Sequence, residues 1–182
     1  MKVTETQLPG VKIIDPQVFS DSRGSFHESF NQHKFDQLVQ KDVTFVQDNH
    51  SVSTRGVLRG LHYQVSPFSQ AKLVRVVSGA VFDVVVDIRP QSDTFGKWIS
   101  VELTADNNRQ LWIPAGFAHG FLALADRVDF LYKTTSYYSP EHERCIRWDD
   151  QILNISWPHV PKIVVSEKDR NGDSFDICID KI

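Results

Sequence analysis

Cysteine is scarce in this chain of 182 residues: Cys145 and Cys178 are the only two, far apart and without CxxC spacing. That excludes a disulfide framework and a zinc-ribbon pattern, and the expectation is a pair of inert thiols in a reducing compartment. No run of eighteen apolar residues occurs, and Met1 to Gly10 carries no apolar h-region, so neither a membrane span nor a secretory leader is expected and the predicted location is cytoplasmic. Charge of one sign is missing too. With 20 Lys and Arg against 23 Asp and Glu, the net charge of -3 leaves no broad basic face for nucleic acid, and phosphate recognition is confined to a local cationic cleft. There is no GxGxxG, no phosphate-binding P-loop, no internal repeat and no low-complexity segment. The 41% hydrophobic content suffices for one core, and the expectation is a single domain spanning 1–182.

What is present is a series of short β-rich runs: Val11 to Ile14, Thr44 to Asn49, Leu58 to Gln64, Leu73 to Val77, Ala80 to Ile88, Trp98 to Leu103, Gln110 to Ile113, Gly120 to Ala125 and Val128 to Thr134. Ser78-Gly79 reads as a tight hairpin, with Asp106-Asn107-Asn108 and Ala125-Asp126-Arg127 as further turns. Asn31 caps a short helix carrying Phe35, Leu38 and Val39, Ser139-Pro140 opens a helical turn through Glu143, and Ser166 to Asp169 begins another helix. Many strands with few helices predict a mainly all-β fold, a double-sheet jelly roll whose mouth admits a small ligand.

Two segments carry chemistry. Arg59-Gly60-Leu61-His62-Tyr63-Gln64, followed by Lys72-Leu73-Val74-Arg75, sets an imidazole among three cations on strand backbone. Histidine titrates near neutrality, and neighbouring cations favour its neutral, proton-accepting form while stabilising a developing oxyanion. The second segment, Pro114-Ala115-Gly116-Phe117-Ala118-His119, resembles the second cupin motif. In metal-binding cupins the first motif supplies His-x-His and a downstream Glu; here it reads His62-Tyr63-Gln64 with no carboxylate following at short spacing. Two histidines make a poor metal site, so the expectation is a metal-free cupin-like pocket. Arg75 and Arg89 are weaker candidates, expected to pair with Asp83 and Asp87; His50 is intermediate, and His27, His33, His142 and His159 are expected to have no chemical role.

The blocks Arg23-Gly24, Gln47-Asp48-Asn49-His50-Ser51, Leu58 to His62, Lys72 to Arg75, Phe82-Asp83-Val84, Asp87-Ile88-Arg89, Pro114 to Phe121 and Tyr132-Lys133 strongly resemble the dTDP-4-dehydrorhamnose 3,5-epimerase family, in order and over nearly the whole chain. The resemblance implies a cupin-type jelly roll, a homodimer, a dTDP-sugar substrate and no cofactor. It makes His62 the general base, Asp169 the carboxylate that orients it, Tyr132 the general acid and Lys72 the cation at the enolate oxygen, with His119 and Arg59 at the sugar end. It further places Arg23, Glu28, Gln47, Asp48, Asn49, Arg59, Glu143 and Lys168 against the nucleotide sugar, Tyr138 stacked on thymine, and Phe19 and Phe26 on the apolar wall. Competing readings are an epimerase that inverts C3 alone, a 3,4-ketoisomerase, a metal-dependent cupin oxygenase or isomerase, and a non-catalytic sugar-binding cupin.

Overall fold

The computed structural model describes residues 1–179, the side chains of 178 and 179 excepted, so the Cys178 thiol lies outside the described residues. In chain order come β1 (Lys2–Glu5), β2 (Lys12–Asp15), the hairpin β3 (Val18–Asp21) and β4 (Gly24–His27), helix α1 (Gln32–Leu38), then β5 (Gln47–Ser53), β6 (Val57–Gln64), β7 (Lys72–Ser78) and β8 (Ala80–Asp87). There follow β9 (Trp98–Thr104), β10 (Gln110–Ile113), β11 (Phe117–Ala123), β12 (Val128–Thr134), β13 (Glu143–Cys145) and β14 (Val164–Val165), with short helices α2 (Glu167–Arg170) and α3 (Phe175–Ile179). One six-stranded sheet runs β1-β2-β10-β7-β12-β5; the other runs β13-β6-β11-β8-β9, with β14 parallel beside β6. This is the cupin-like double-sheet jelly roll, with strands where all nine β-rich runs lie and boundaries that shift by up to four residues, as at the end of β5, which continues past Asn49 to Ser53.

Apolar side chains from both sheets meet in the middle. Val74, Val76, Leu111, Phe130, Val81, Val85 and Phe121 are buried together, and Phe121 stacks on Phe130 with ring centroids 4.3 Å apart. Each such side chain contributes about 1.5–3 kcal/mol of transfer free energy. Asn31 caps α1 by accepting the Lys34 N–H at 3.1 Å, which leaves Phe35 to pack edge-on against Trp112.

One expectation is corrected. Ser78-Gly79 is no hairpin: β7 and β8 lie in different sheets, and the turn carries the chain across the fold. Asp106 to Asn108 and Ala125 to Arg127 likewise join strands of opposite sheets. Turn residues report that the chain reverses, and whether the flanking strands then pair depends on where each finds its hydrogen-bonding neighbours. Gly79 has φ +79°, and a Cβ there would stand 2.2 Å from the Arg127 carbonyl, so the corner requires glycine. Ser139 to Glu143 makes the expected helical turn, with the Glu143 N–H donating to the Ser139 carbonyl at 3.0 Å, and the chain then enters β13. Unpaired β6 edge offers Glu143 to Cys145 a ladder that a free helix end would lack.

Candidate active site

Between the two sheets opens a cavity of about 380 Å³. The first sheet lends it Gln47, Asn49 and Ser51 from β5, Lys72 from β7, and Phe130 and Tyr132 from β12; the second lends Arg59, His62, His119, Gly120, Phe121 and Glu143. His62 and Tyr132 therefore project into one space from opposite walls.

Strand period decides who enters. Along β5, Gln47, Asn49 and Ser51 point inward, while Asp48 and His50 line a separate depression with Arg75 and Lys133. Asp48 pairs with Lys133 there at 2.8 Å. Lys72 and Arg75 are three apart on a strand paired without interruption from Lys72 to Arg75, so Lys72 enters the cavity and Arg75 faces away. The expected trio of cations is thus reduced to Arg59 and Lys72. Arg59 and His62 are also three apart yet both enter, because the β6–β11 ladder slips between His119 and Phe121. This bulge spends one extra residue and re-aims the next. It needs glycine on both strands: Gly60 has φ +117°, and a Cβ there would stand 2.6 Å from the Gly120 Cα.

His62 Nε2 lies 2.6 Å from Asp169 Oδ1, while the Gly60 N–H donates to Asp169 Oδ2 at 3.2 Å. Ser166, the cap of α2, accepts the Asp169 N–H, so a four-residue helix delivers a buried carboxylate to the back of the imidazole. Burial is the largest single influence and raises the Asp169 pKa, but the bond and charge of His62 together with the hydrogen bonds from Gly60 and Ser166 outweigh it, and the carboxyl ends below its ordinary value. An ionised Asp169 accepts only, so Nε2 is the nitrogen that donates to it, which leaves Nδ1 as the second ring nitrogen. His119, also buried, makes a second such pair with Asp83 at 2.9 Å, and Asp83 is pushed up by burial. Asp83 was expected to pair with strand arginines; its side chain shares the inward face of β8, where His119 is and Arg75 is not.

Lys72 is nine-tenths buried, with Nζ 3.4 Å from the His62 carbonyl. Burial lowers its pKa to about 8 against the pull of Glu143 and Asp83. Burial, then the Glu143 charge, raises the Tyr132 phenol, which keeps it protonated. Near the mouth, the Tyr138 hydroxyl donates to Glu143 at 2.7 Å, and Lys168 pairs with the same carboxylate. Those two partners overcome burial and hold Glu143 below the ordinary carboxylate range.

Not every expected residue is gathered. Phe19, Arg23 and Phe26 sit on the exposed β3–β4 hairpin, with Phe26 70% exposed and Arg23 bound to Asp21, and Glu28 pairs with Lys34. Phe19, Phe26 and Glu28 line a different depression, of about 180 Å³. Ser51, Gln70, Phe121 and Phe130 line the main cavity without having been anticipated; the alternation along Gln47 to Ser51 was the available signal for Ser51. The register sets Cys145 directly opposite His62, and its sulfur, an imidazole nitrogen and an Asp169 oxygen lie within 4.8 Å of one another.

A carboxylate-oriented imidazole facing a protonated phenol across a cavity that holds a buried ammonium defines an acid–base isomerase on a cupin-like scaffold. The comparisons make this particular. Residues 5–176 match the family model described as dTDP-4-dehydrorhamnose 3,5-epimerase. The chain is 58% identical over 175 residues to the dTDP-4-dehydrorhamnose 3,5-epimerase of Shigella flexneri, covering 96% of each. It superposes with TM-score 0.94 and 48% identity on the Legionella pneumophila dTDP-6-deoxy-D-glucose-3,5-epimerase RmlC solved with dTDP-4-keto-L-rhamnose, covering 97% of this chain and 93% of that one. With TM-score 0.89 and 37% identity it matches ChmJ, a 3'-monoepimerase of Streptomyces bikiniensis solved with dTDP-quinovose, over 94% of this chain and 86% of that one. The chain belongs to the dTDP-4-dehydrorhamnose 3,5-epimerase family and is a carbohydrate epimerase.

Proposed function

We propose that this chain, acting as one folded unit, inverts C3 and C5 of dTDP-4-dehydro-6-deoxy-D-glucose to give dTDP-4-dehydro-L-rhamnose. The ketone at C4 lies between the two centres, so loss of a proton from either neighbour gives an enolate on the same oxygen. Neutral His62 takes the proton through Nδ1 while Asp169 holds the tautomer and stabilises the imidazolium formed. The Lys72 ammonium meets the charge that develops on O4, a contribution of about 10²–10³ in rate for one preorganised donor in a dry site. Tyr132 returns a proton from the other wall, and delivery to the opposite face inverts the centre. The carbonyl already acidifies both C–H bonds, so the proposal needs no metal or cofactor. The observation that carries this reading is the entry of His62 and Tyr132 into one cavity from opposite sheets.

Gln47, Asn49, Arg59 and His119 would hold the sugar and diphosphate, with Tyr138 under the base and Lys168 beside Glu143 at the mouth. Phe19, Arg23, Phe26 and Glu28 lie outside this cavity, and a homodimer in which the partner's hairpin reaches the nucleotide end would give them their binding role. Cytoplasmic residence belongs to the same proposal, since a nucleoside diphosphate sugar is too charged to enter a bilayer unaided. NMR of the 4-keto sugar nucleotide in deuterated water tests the reading: deuterium at C3 and C5 with product formation is expected. Label at C3 alone would favour the monoepimerase reading, which the likeness to ChmJ keeps as the alternative.

A further inference from the structure

We infer that Cys145, His62 and Asp169 form a capture site for a thiophilic divalent cation of the zinc class, and that the captured ion switches the base off from behind. Antiparallel register sets Cys145 directly across from His62, where directly opposed side chains share a face with Cβ atoms about 5 Å apart. Asp169 comes up behind the ring on α2, and the three donor atoms lie within 4.8 Å of one another. The set is one sulfur, one nitrogen and one oxygen, the mixture that suits zinc, with a fourth position left for water. Zinc bonds of about 2.1 Å to N and O and about 2.3 Å to S put ligand atoms ~3.5 Å apart in a tetrahedral shell. The 2.6 Å His62–Asp169 contact then opens by about 1 Å and the thiol closes by a similar amount, which side-chain rotation supplies. Gly60 holds one carboxylate oxygen, which leaves the other for the ion.

The proton count explains the switch. In the working dyad the proton sits on Nε2 and the lone pair on Nδ1. An ion on Nε2 needs that lone pair, so the ring proton moves to Nδ1, the nitrogen that faces substrate, and the thiol releases its proton to solvent as it becomes a thiolate. The ring stays neutral, the cavity stays open, and the base has nothing with which to accept a proton. Turnover therefore falls while substrate still binds. The switching part of the inference rests on His62 being the base; capture of the ion does not.

The experiment uses the full chain freed of metal with a chelator, then titrated with ZnCl2 for activity and with CoCl2 for absorption. Expected are a fall in kcat with KM nearly unchanged, reversal by chelator, and a thiolate-to-cobalt charge-transfer band of one equivalent. Cys145→Ser and Cys145→Ala should keep wild-type turnover, lose the band, and weaken zinc inhibition roughly tenfold or more, as loss of a supporting group at a metal site does. Absence of the band from the wild-type protein, or zinc inhibition of equal strength in both Cys145 variants, would overturn the site. A band that appears while turnover is unaffected would leave capture standing and refute the role of His62 instead.

Discussion

Replacing Asp169 by Asn probes the positioning of the base with almost no change of volume. The native carboxylate serves two donors at once, His62 Nε2–H at 2.6 Å and the Gly60 N–H at 3.2 Å. An amide has one acceptor oxygen. If that oxygen turns to His62, the NH2 points at the Gly60 N–H and two donors face each other at a side chain that is about 95% buried. If it turns to Gly60, the NH2 donates to Nε2 and forces the ring proton onto Nδ1, which removes the acceptor that faces the sugar. The second arrangement satisfies more hydrogen bonds and should dominate, since an unpaired buried donor costs about 1–3 kcal/mol. A wrong tautomer behind intact geometry costs about 10⁴ in a histidine-dependent hydrolase, and a loss of about 10³–10⁴ in kcat is expected here, or ~4–5.5 kcal/mol of barrier. Nucleotide affinity should stay within about threefold, since Asp169 does not line the cavity. Steady-state turnover, with titration calorimetry of dTDP, measures both. A variant with more than a tenth of wild-type kcat would refute the claim that Asp169 works by fixing the tautomer.

Lys72 titrates at about 8 and must be charged to meet the enolate, so kcat should decline as pH rises through that value, and Lys72→Met should cost about 10²–10³ in turnover without lowering Tm. A flat profile between pH 7 and 9 would remove Lys72 from that role. Tyr132→Phe should keep proton exchange with deuterated water while product formation falls by about 10² or more, read by NMR of C3 and C5. Asp87, fully buried among Arg89, Ser92 and Thr94, has its pKa lowered to about 2 from 3.8, because those hydrogen bonds outweigh burial. A depressed carboxyl stabilises above its unfolded pKa, so about 2 kcal/mol is present at neutral pH and lost as pH falls from near 4 to near 2; denaturant melts of Asp87→Asn should show that increment missing at pH 7 and converging with wild type at pH 2. Phe19→Ser with Phe26→Ser should weaken dTDP-sugar binding and dimerisation together in sedimentation and calorimetry, if a partner's hairpin completes the site; unchanged values for both would refute that.

Much of the site was legible because its chemistry is local. A histidine, a lysine and an arginine within fourteen residues announce proton transfer beside an anion, and Pro114 to His119 marks a turn feeding a histidine into a strand. The strands were legible for the same reason, since alternation is a property of neighbouring residues. Asp169 was harder. In Lys168-Asp169-Arg170-Asn171-Gly172 it reads equally as a solvated turn residue, and only the docking of α2 behind β6 buries it against His62. Asp83 and Cys145 share that difficulty, their partners being 36 and 83 positions away along the chain.

The amino-acid sequence by itself determined that this chain makes a strand-rich fold, where its turns fall, and which titratable and charged side chains it can bring to a site. Tertiary structure alone decided that the turns at Gly79, Asn107 and Asp126 cross between sheets, that Arg75 faces away from the cavity while Lys72 enters it, and that a bulge at Gly60 brings Arg59 back in beside His62. The reason is that a residue's type is carried by its own atoms, whereas the face it presents depends on a period-two count that one extra residue in a distant strand pairing can invert.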